Sequence, residues 1–260
     1  MQRQLWILGG LSIAVVLVAL LLPPVSQPVD YHQFADQRNL LNIPNFNDVA
    51  SNLAFLLSGG AGLVYLFRIY QTPAQKAFRN RVECLPYWAL FLSVVASGLG
   101  SMIYHWIPDN ANLLWDRLPI ATGITALLAA TLVDRVSPTG GLWSLPFLIV
   151  SGVLSVLYWY WTEQQGAGNL NFYIVVQFYS ILLIILLSVY YPSRYTHAHD
   201  IYQVIALYAV AKLTEMLDMH IFVLTSNNIS GHTLKHLLAA LAVYRIVQIL
   251  QKREFLSEKR

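Results

Sequence analysis

The sequence holds a single cysteine, Cys84, in 260 residues. An internal disulfide and a thiolate metal cluster are both excluded, so a metal here must use histidine, carboxylate or water. Charge is scarce as well: only 11% of residues are Asp, Glu, Lys or Arg, against roughly 25% in soluble domains. With 57% hydrophobic residues, such a chain belongs in a bilayer. The net charge is only +3, and no basic patch is interleaved with aromatics, so nucleic-acid binding is not expected. Internal repeats and low-complexity tracts are missing too. No protein partner is inferable.

What is present is a series of apolar segments. Eight occur, at 5–22, 49–69, 85–105, 113–134, 142–161, 170–190, 201–219 and 231–250, each close to the ~20 residues a spanning helix needs. The breaks carry turn chemistry: Pro23-Pro24, Pro28, Pro73, Pro86, Pro108, Pro138 with Gly140-Gly141, Gly166 and Gly168, Pro192, and Asn227-Asn228. The predicted fold is an all-α, polytopic membrane helix bundle, with the bilayer as its first partner. Segment 5–22, behind Arg3, resembles a signal peptide. Its length and the following Leu-Pro-Pro-Val-Ser-Gln-Pro favour a retained helix.

The positive-inside rule predicts orientation. With the N-terminus inside, the inside connections carry Arg3, Arg68, Lys76, Arg79, Arg81, Arg135, Arg194, Lys252, Arg253, Lys259 and Arg260. The outside connections carry only Arg38 and Arg117, while Lys212, Lys235 and Arg245 fall within spans. This bias supports eight spans. The same parity puts His105, Asp116, Glu215, Asp218, His232 and His236 at one outer level, toward the non-cytoplasmic face.

Two patterns carry the chemistry. Ser101-Met-Ile-Tyr-His105 is followed by Asp116, and Gly231-His232-Thr-Leu-Lys-His236 opens the last segment. In each, an i,i+4 spacing puts two polar side chains on one helix face. Three imidazoles with a carboxylate and a hydroxyl are what a catalytic zinc site needs. Ionisable residues in a membrane span are functional candidates by default. Each has a plainer reading beside it. The histidines can be hydrogen-bonded interface residues, and Asp116 a carboxylate favoured by a helix N-terminus. Ser101 fits helix packing beside Gly98 and Gly100. Glu215 and Asp218 can orient a ligand histidine, or pair with Lys212 or Lys235. Asn52, with Ser51, reads as structural or as a support to a ligand. His220 reads as interfacial, and His32, His197 and His199 receive no role. Gly59, Gly60 and Gly62 read as close-packing positions.

These residues carry a resemblance. Pro44-Asn-Phe-Asn-Asp-Val-Ala-Ser-Asn52, Gly100-Ser-Met-Ile-Tyr-His105, Trp115-Asp-Arg-Leu-Pro119 and Gly231-His-Thr-Leu-Lys-His236 resemble motifs of the alkaline ceramidases, in the alkaline phytoceramidase branch. That family belongs to a group of seven-span membrane hydrolases that includes the adiponectin-type receptors. The resemblance spans roughly residues 30–250. It implies a Zn2+ held by His105, His232 and His236, with Asp116 as acid/base and Ser101 beside the zinc-bound water. It further implies a seven-span core plus one extra N-terminal helix. Residues 1–28 would then be an N-terminal anchor or uncleaved signal segment, 29–251 the ceramidase-like domain and 252–260 a polar cytoplasmic tail.

One stretch departs from the pattern. Animal alkaline ceramidases bind calcium through an acidic segment, Asp-Trp-Cys-Glu-x-Asn with a later Glu. Here Val29-Asp-Tyr-His-Gln-Phe-Ala-Asp36 matches clearly only at Asp30, and Asn45 falls near the later Glu. Calcium takes six to eight oxygens, so a calcium site is doubtful. The expected activity is zinc-dependent hydrolysis of the N-acyl bond of ceramide-like lipids. A lipid-binding or receptor-like protein with a structural zinc site is the alternative. A haem redox protein with histidine ligands is a third reading, and it leaves Ser101 and Asp116 unexplained.

Overall fold

The structure is a computed structural model that describes residues 2–71 and 77–256. Pro73, Lys76, Lys259 and Arg260 lie outside the described residues. Every apolar segment predicted from the sequence contains a helix. These are α1 Gln2–Leu21, α2 Phe46–Gln71, α3 Leu85–Trp106, α4 Asn110–Arg135, α5 Pro138–Gln164, α6 Asn171–Tyr190, α7 Ile201–Met216, α8 Asp218–Leu224 and α9 Gly231–Lys252. No strand forms among the described residues. Six helices, α2 to α6 and α9, are long and apolar enough to cross a membrane, which suggests an integral membrane protein.

The helices start where capping side chains allow. Asp109 accepts the Asn112 N–H at 2.7 Å to open α4, and Ser137 accepts the Gly140 N–H at 3.2 Å to open α5. Ser230 accepts the Thr233 N–H at 2.9 Å to open α9. Each cap satisfies one of the free N–H groups of a first turn. Two sequence readings are corrected here. The break between 134 and 142 is present but shorter, confined to Val136 and Ser137, because Pro138 takes the first helical position, where its missing N–H costs nothing, and Gly140-Gly141 lie inside α5. Segment 201–219 is not one helix, because the chain turns at Leu217 and restarts as α8.

In the bundle α3 packs between α2 and α4, α4 also meets α5 and α6, and α9 packs against α2 and α7. α1 lies at the periphery with Trp6 and Leu21 exposed. It is tied to α6 by Ser12 Oγ and Tyr179 OH at 2.8 Å. Close helix approach rests on small residues, as membrane packing favours. A Cβ on Gly62 would sit 2.4 Å from the Phe91 ring, and one on Gly59 2.9 Å from Val95 Cγ2, whereas Gly60 faces open space. Two further glycines set the functional end. A Cβ on Gly100 would lie 2.1 Å from the Trp115 carbonyl oxygen, and one on Gly231 2.1 Å from that of Thr214.

The opposite end is closed by polar contacts from the chain's last described residues. The Arg253 guanidinium, buried, donates to Ala77 O at 2.8 Å and Tyr87 OH at 3.1 Å. It lies against the Phe78 and Tyr195 rings, each at 4.3 Å. Tyr195 in turn donates to the buried Glu83 carboxylate at 2.5 Å and bridges to Phe255. The stretch read as a polar tail therefore holds a structural anchor at Arg253.

Candidate metal centre and cavity

His105 ends α3, and His232 and His236 open α9. Their ligand atoms all lie within 4.8 Å of one another, and all three residues are buried. His105 Nε2 is 3.2 Å from His232 Nε2. His236 Nδ1 is held by the Ser51 hydroxyl at 2.8 Å, which leaves Nε2 available. His105 Nδ1 is buried with no partner among the described residues. The donor set suits a divalent ion. Metal–nitrogen bonds of about 2.0–2.1 Å at a tetrahedral angle place two imidazole nitrogens ~3.3 Å apart, close to the separation seen. A neutral imidazole carries one unprotonated nitrogen, so three of them at these distances can offer three nitrogen ligands to one ion.

The surrounding contacts fix this group. Asn45 donates its side-chain N–H to His105 O at 2.8 Å. Asp48 accepts from Thr233 Oγ1 at 2.6 Å and Ser230 Oγ at 3.1 Å, tying α2 to the first turn of α9. Asp218 accepts the His232 backbone N–H at 2.8 Å and the Ala35 N–H at 3.0 Å. It orients the backbone of that histidine, not its ring. Phe34 covers His105 and His232, with ring centroids 4.5 and 5.1 Å away, and Phe55 stands 5.9 Å from His236. The strap bearing Phe34 is fastened by Asp36, which takes two bonds from Arg38, at 2.7 and 2.6 Å. Burial pushes the Asp36 carboxyl up, but Arg38 and Asn47 outweigh it and hold it below the usual carboxylate range.

Ser101 and Asp116 lie on either side of the close Gly100–Trp115 approach between α3 and α4. Both are buried. With His236 they line a cavity of about 230 Å3 between α3, α4, α6, α7 and α9. Its far end is apolar, lined by Leu127, Ile184, Ile201, Val204 and Ile246. A π-helical turn at Val175–Tyr179 widens α6 here and turns Gln177 toward Tyr208, at 2.9 Å. Glu215 pairs with both Lys212 and Lys235, the latter at 2.9 Å. Lys235 Nζ also lies 2.9 Å from His232 Nε2.

Of the remaining sequence candidates, His32 bonds Tyr104 OH and Asn110 Oδ1, each at 3.0 Å, although it had received no role. His220, read as interfacial, lies within α8. Asp30 is exposed on the strap, and Asn45 is spent on His105. Asn52 donates to Asp48 O at 2.7 Å. Sequence reasoning missed Phe34 and the part played by Arg117, for which it holds no periodic signal. Ser51 was visible only as a neighbour of Asn52. No family model matches this sequence.

Proposed function

We propose that the protein is a zinc-dependent membrane amidase of the alkaline ceramidase type. It hydrolyses the N-acyl bond of ceramide-like lipids to a sphingoid base and a fatty acid. The observation that carries this reading is the placing of three convergent imidazoles beside Ser101 and Asp116, which with His236 line the polar end of an apolar cavity. In this reading the chain has a seven-span core plus α1, and its site faces the non-cytoplasmic side.

His105, His232 and His236 hold the ion, with Ser51 fixing the His236 ring. Zinc supplies a Lewis acid and lowers the pKa of water toward ~7. The His232 Nε2 lone pair serves one partner at a time, so Lys235 gives up that nitrogen and keeps Glu215. Asp116 takes the proton from the attacking water. Ser101 donates a hydrogen bond to the amide oxygen as negative charge develops there. The carbon–nitrogen bond then breaks, and Asp116 returns the proton to the leaving amine. Phe34 and Phe55 keep bulk water from the ligands, and the apolar end of the cavity takes the acyl chain.

Metal analysis and a ceramide hydrolysis assay on the purified protein test this. One zinc per chain, with turnover lost on chelation and restored by zinc, is expected. Zinc at one per chain with no hydrolysis of any N-acyl lipid would favour the receptor-like alternative. No zinc and no hydrolysis would remove both.

A further inference from the structure

Five charged residues line the cavity: Arg117, Lys212 and Lys235 against Asp116 and Glu215. Cations exceed carboxylates before any metal is counted, and a bound divalent ion enlarges the excess. Glu215 alone neutralises two ammonium groups. Arg117 is the sharper observation. It is 4% exposed, and its guanidinium is boxed by Trp159 at 4.2 Å, Tyr31 at 5.0 Å and Tyr173 at 5.1 Å. Nη2 donates to Gln27 Oε1 at 2.6 Å. Nε and Nη1 are buried and meet no acceptor among the described residues. A buried guanidinium held rigid by aromatic faces, with two donors unspent, is a costly arrangement unless an acceptor completes it.

Resting on the amidase reading, we propose that the polar end of the cavity recognises an anionic group on the lipid head. The shared chemistry is a phosphate or carboxylate close to the scissile amide, bridging Arg117 and the Lys212–Lys235 pair. Neutral ceramide leaves the Arg117 donors unsatisfied and the net positive charge uncompensated, whereas an acidic N-acyl lipid supplies both an acceptor and the missing charge. The apolar end of the cavity is indifferent to this choice, so the preference resides in the head group.

Two substrate pairs on the full-length, zinc-loaded protein in neutral micelles test the proposal. One is ceramide 1-phosphate against ceramide with the same acyl chain; the other is N-dodecanoylglycine against its methyl ester. Binding and kcat/KM are both measured. The anionic member of at least one pair should be favoured about tenfold or more in both quantities, and the pair that responds identifies phosphate or carboxylate. Lys212→Met should bring the preference toward one, Lys212→Arg should keep it, and Arg117→Gln should also lose it. The Lys212 pair decides the matter if the Arg117 variant fails to fold. Equal handling of charged and neutral members by the wild type overturns the proposal. So does a preference that survives Lys212→Met. If dodecanoate competes strongly while head-group charge makes no difference, the cations hold product instead, and the proposal fails. Tighter binding of the anionic members without hydrolysis of any lipid would leave the recognition intact and sink the amidase reading.

Discussion

Gly100→Ala is a one-carbon change aimed at the contact that sets Ser101 against Asp116. The added Cβ would stand 2.1 Å from Trp115 O and 2.7 Å from Trp115 C, where ordinary van der Waals contact begins near 3.4 Å. The neighbour is backbone, so no side chain can swing aside. α3 and α4 must part by roughly 1 Å, and overpacking of this kind typically costs about 1–3 kcal/mol. The larger effect falls on chemistry, since a ~1 Å misplacement of reacting groups can cost about 10²-fold in rate. His105 ends the same helix, so metal affinity should fall as well. Gly60→Ala is the matched control, because its Cβ meets nothing within 4 Å. Turnover on an N-acyl lipid, zinc content and thermal stability would be compared for the two variants. If Gly100→Ala matches Gly60→Ala in all three, the close approach of α3 and α4 is not what positions the site.

Ser51→Ala removes the hydroxyl from His236 Nδ1, and zinc affinity measured by chelator competition should weaken about 10–100-fold; unchanged affinity would show that the ring needs no such support. Asp116→Asn should keep zinc and lose about 10²–10⁴-fold in turnover, while Ser101→Ala should lose less; near wild-type turnover of Asp116→Asn excludes it as the base. Reporter fusions beyond Leu256 and in the loop at Asn227–Ser230 should give opposite signals, and equal signals would refute the proposed orientation. The depressed Asp36 carboxyl adds stability above its unfolded value, and loses it only as pH falls through the lower folded value. Amide protection factors in the strap around Phe34, with the intrinsic pH dependence of exchange divided out, should therefore stay flat from pH 5 to 8 and fall below about pH 4; a fall near neutral pH would point to another fastening.

The legible parts of the fold were those with a period or a parity. His232 and His236 sit one turn apart on one face, and counting segments placed His105 at the same end of the bundle. What stayed illegible depends on tertiary partners. Gly140 and Gly141 look like part of the break, yet it ends at Ser137, and Gly141 packs on Val133 inside the first turn of α5. Nothing along 201–219 marks the turn at Leu217. It arises where Gly231 presses on Thr214 O and on Asp218. Arg117 reads in sequence as a connection residue near the surface, because the aromatic box that buries it comes from Tyr31, Trp159 and Tyr173, far apart in the chain. Pairing of Glu215 with Lys212 or Lys235 was one of two readings open in the sequence, and the structure shows both pairs.

The Arg253 anchor has a practical reach. α9 is a 22-residue helix, about 33 Å from end to end at 1.5 Å per residue. Two of the three imidazoles of the candidate metal centre ride on its first turns, and Arg253 follows its last. A rigid rod clamped at one end by Ala77, Phe78, Tyr87 and Tyr195 cannot slide along its axis at the other. A cut after Lys252 would free the rod to piston, blurring the depth of His232 and His236 from across the bundle. Affinity tags joined directly to residue 252 should therefore disturb metal loading, while tags placed beyond Leu256 should not.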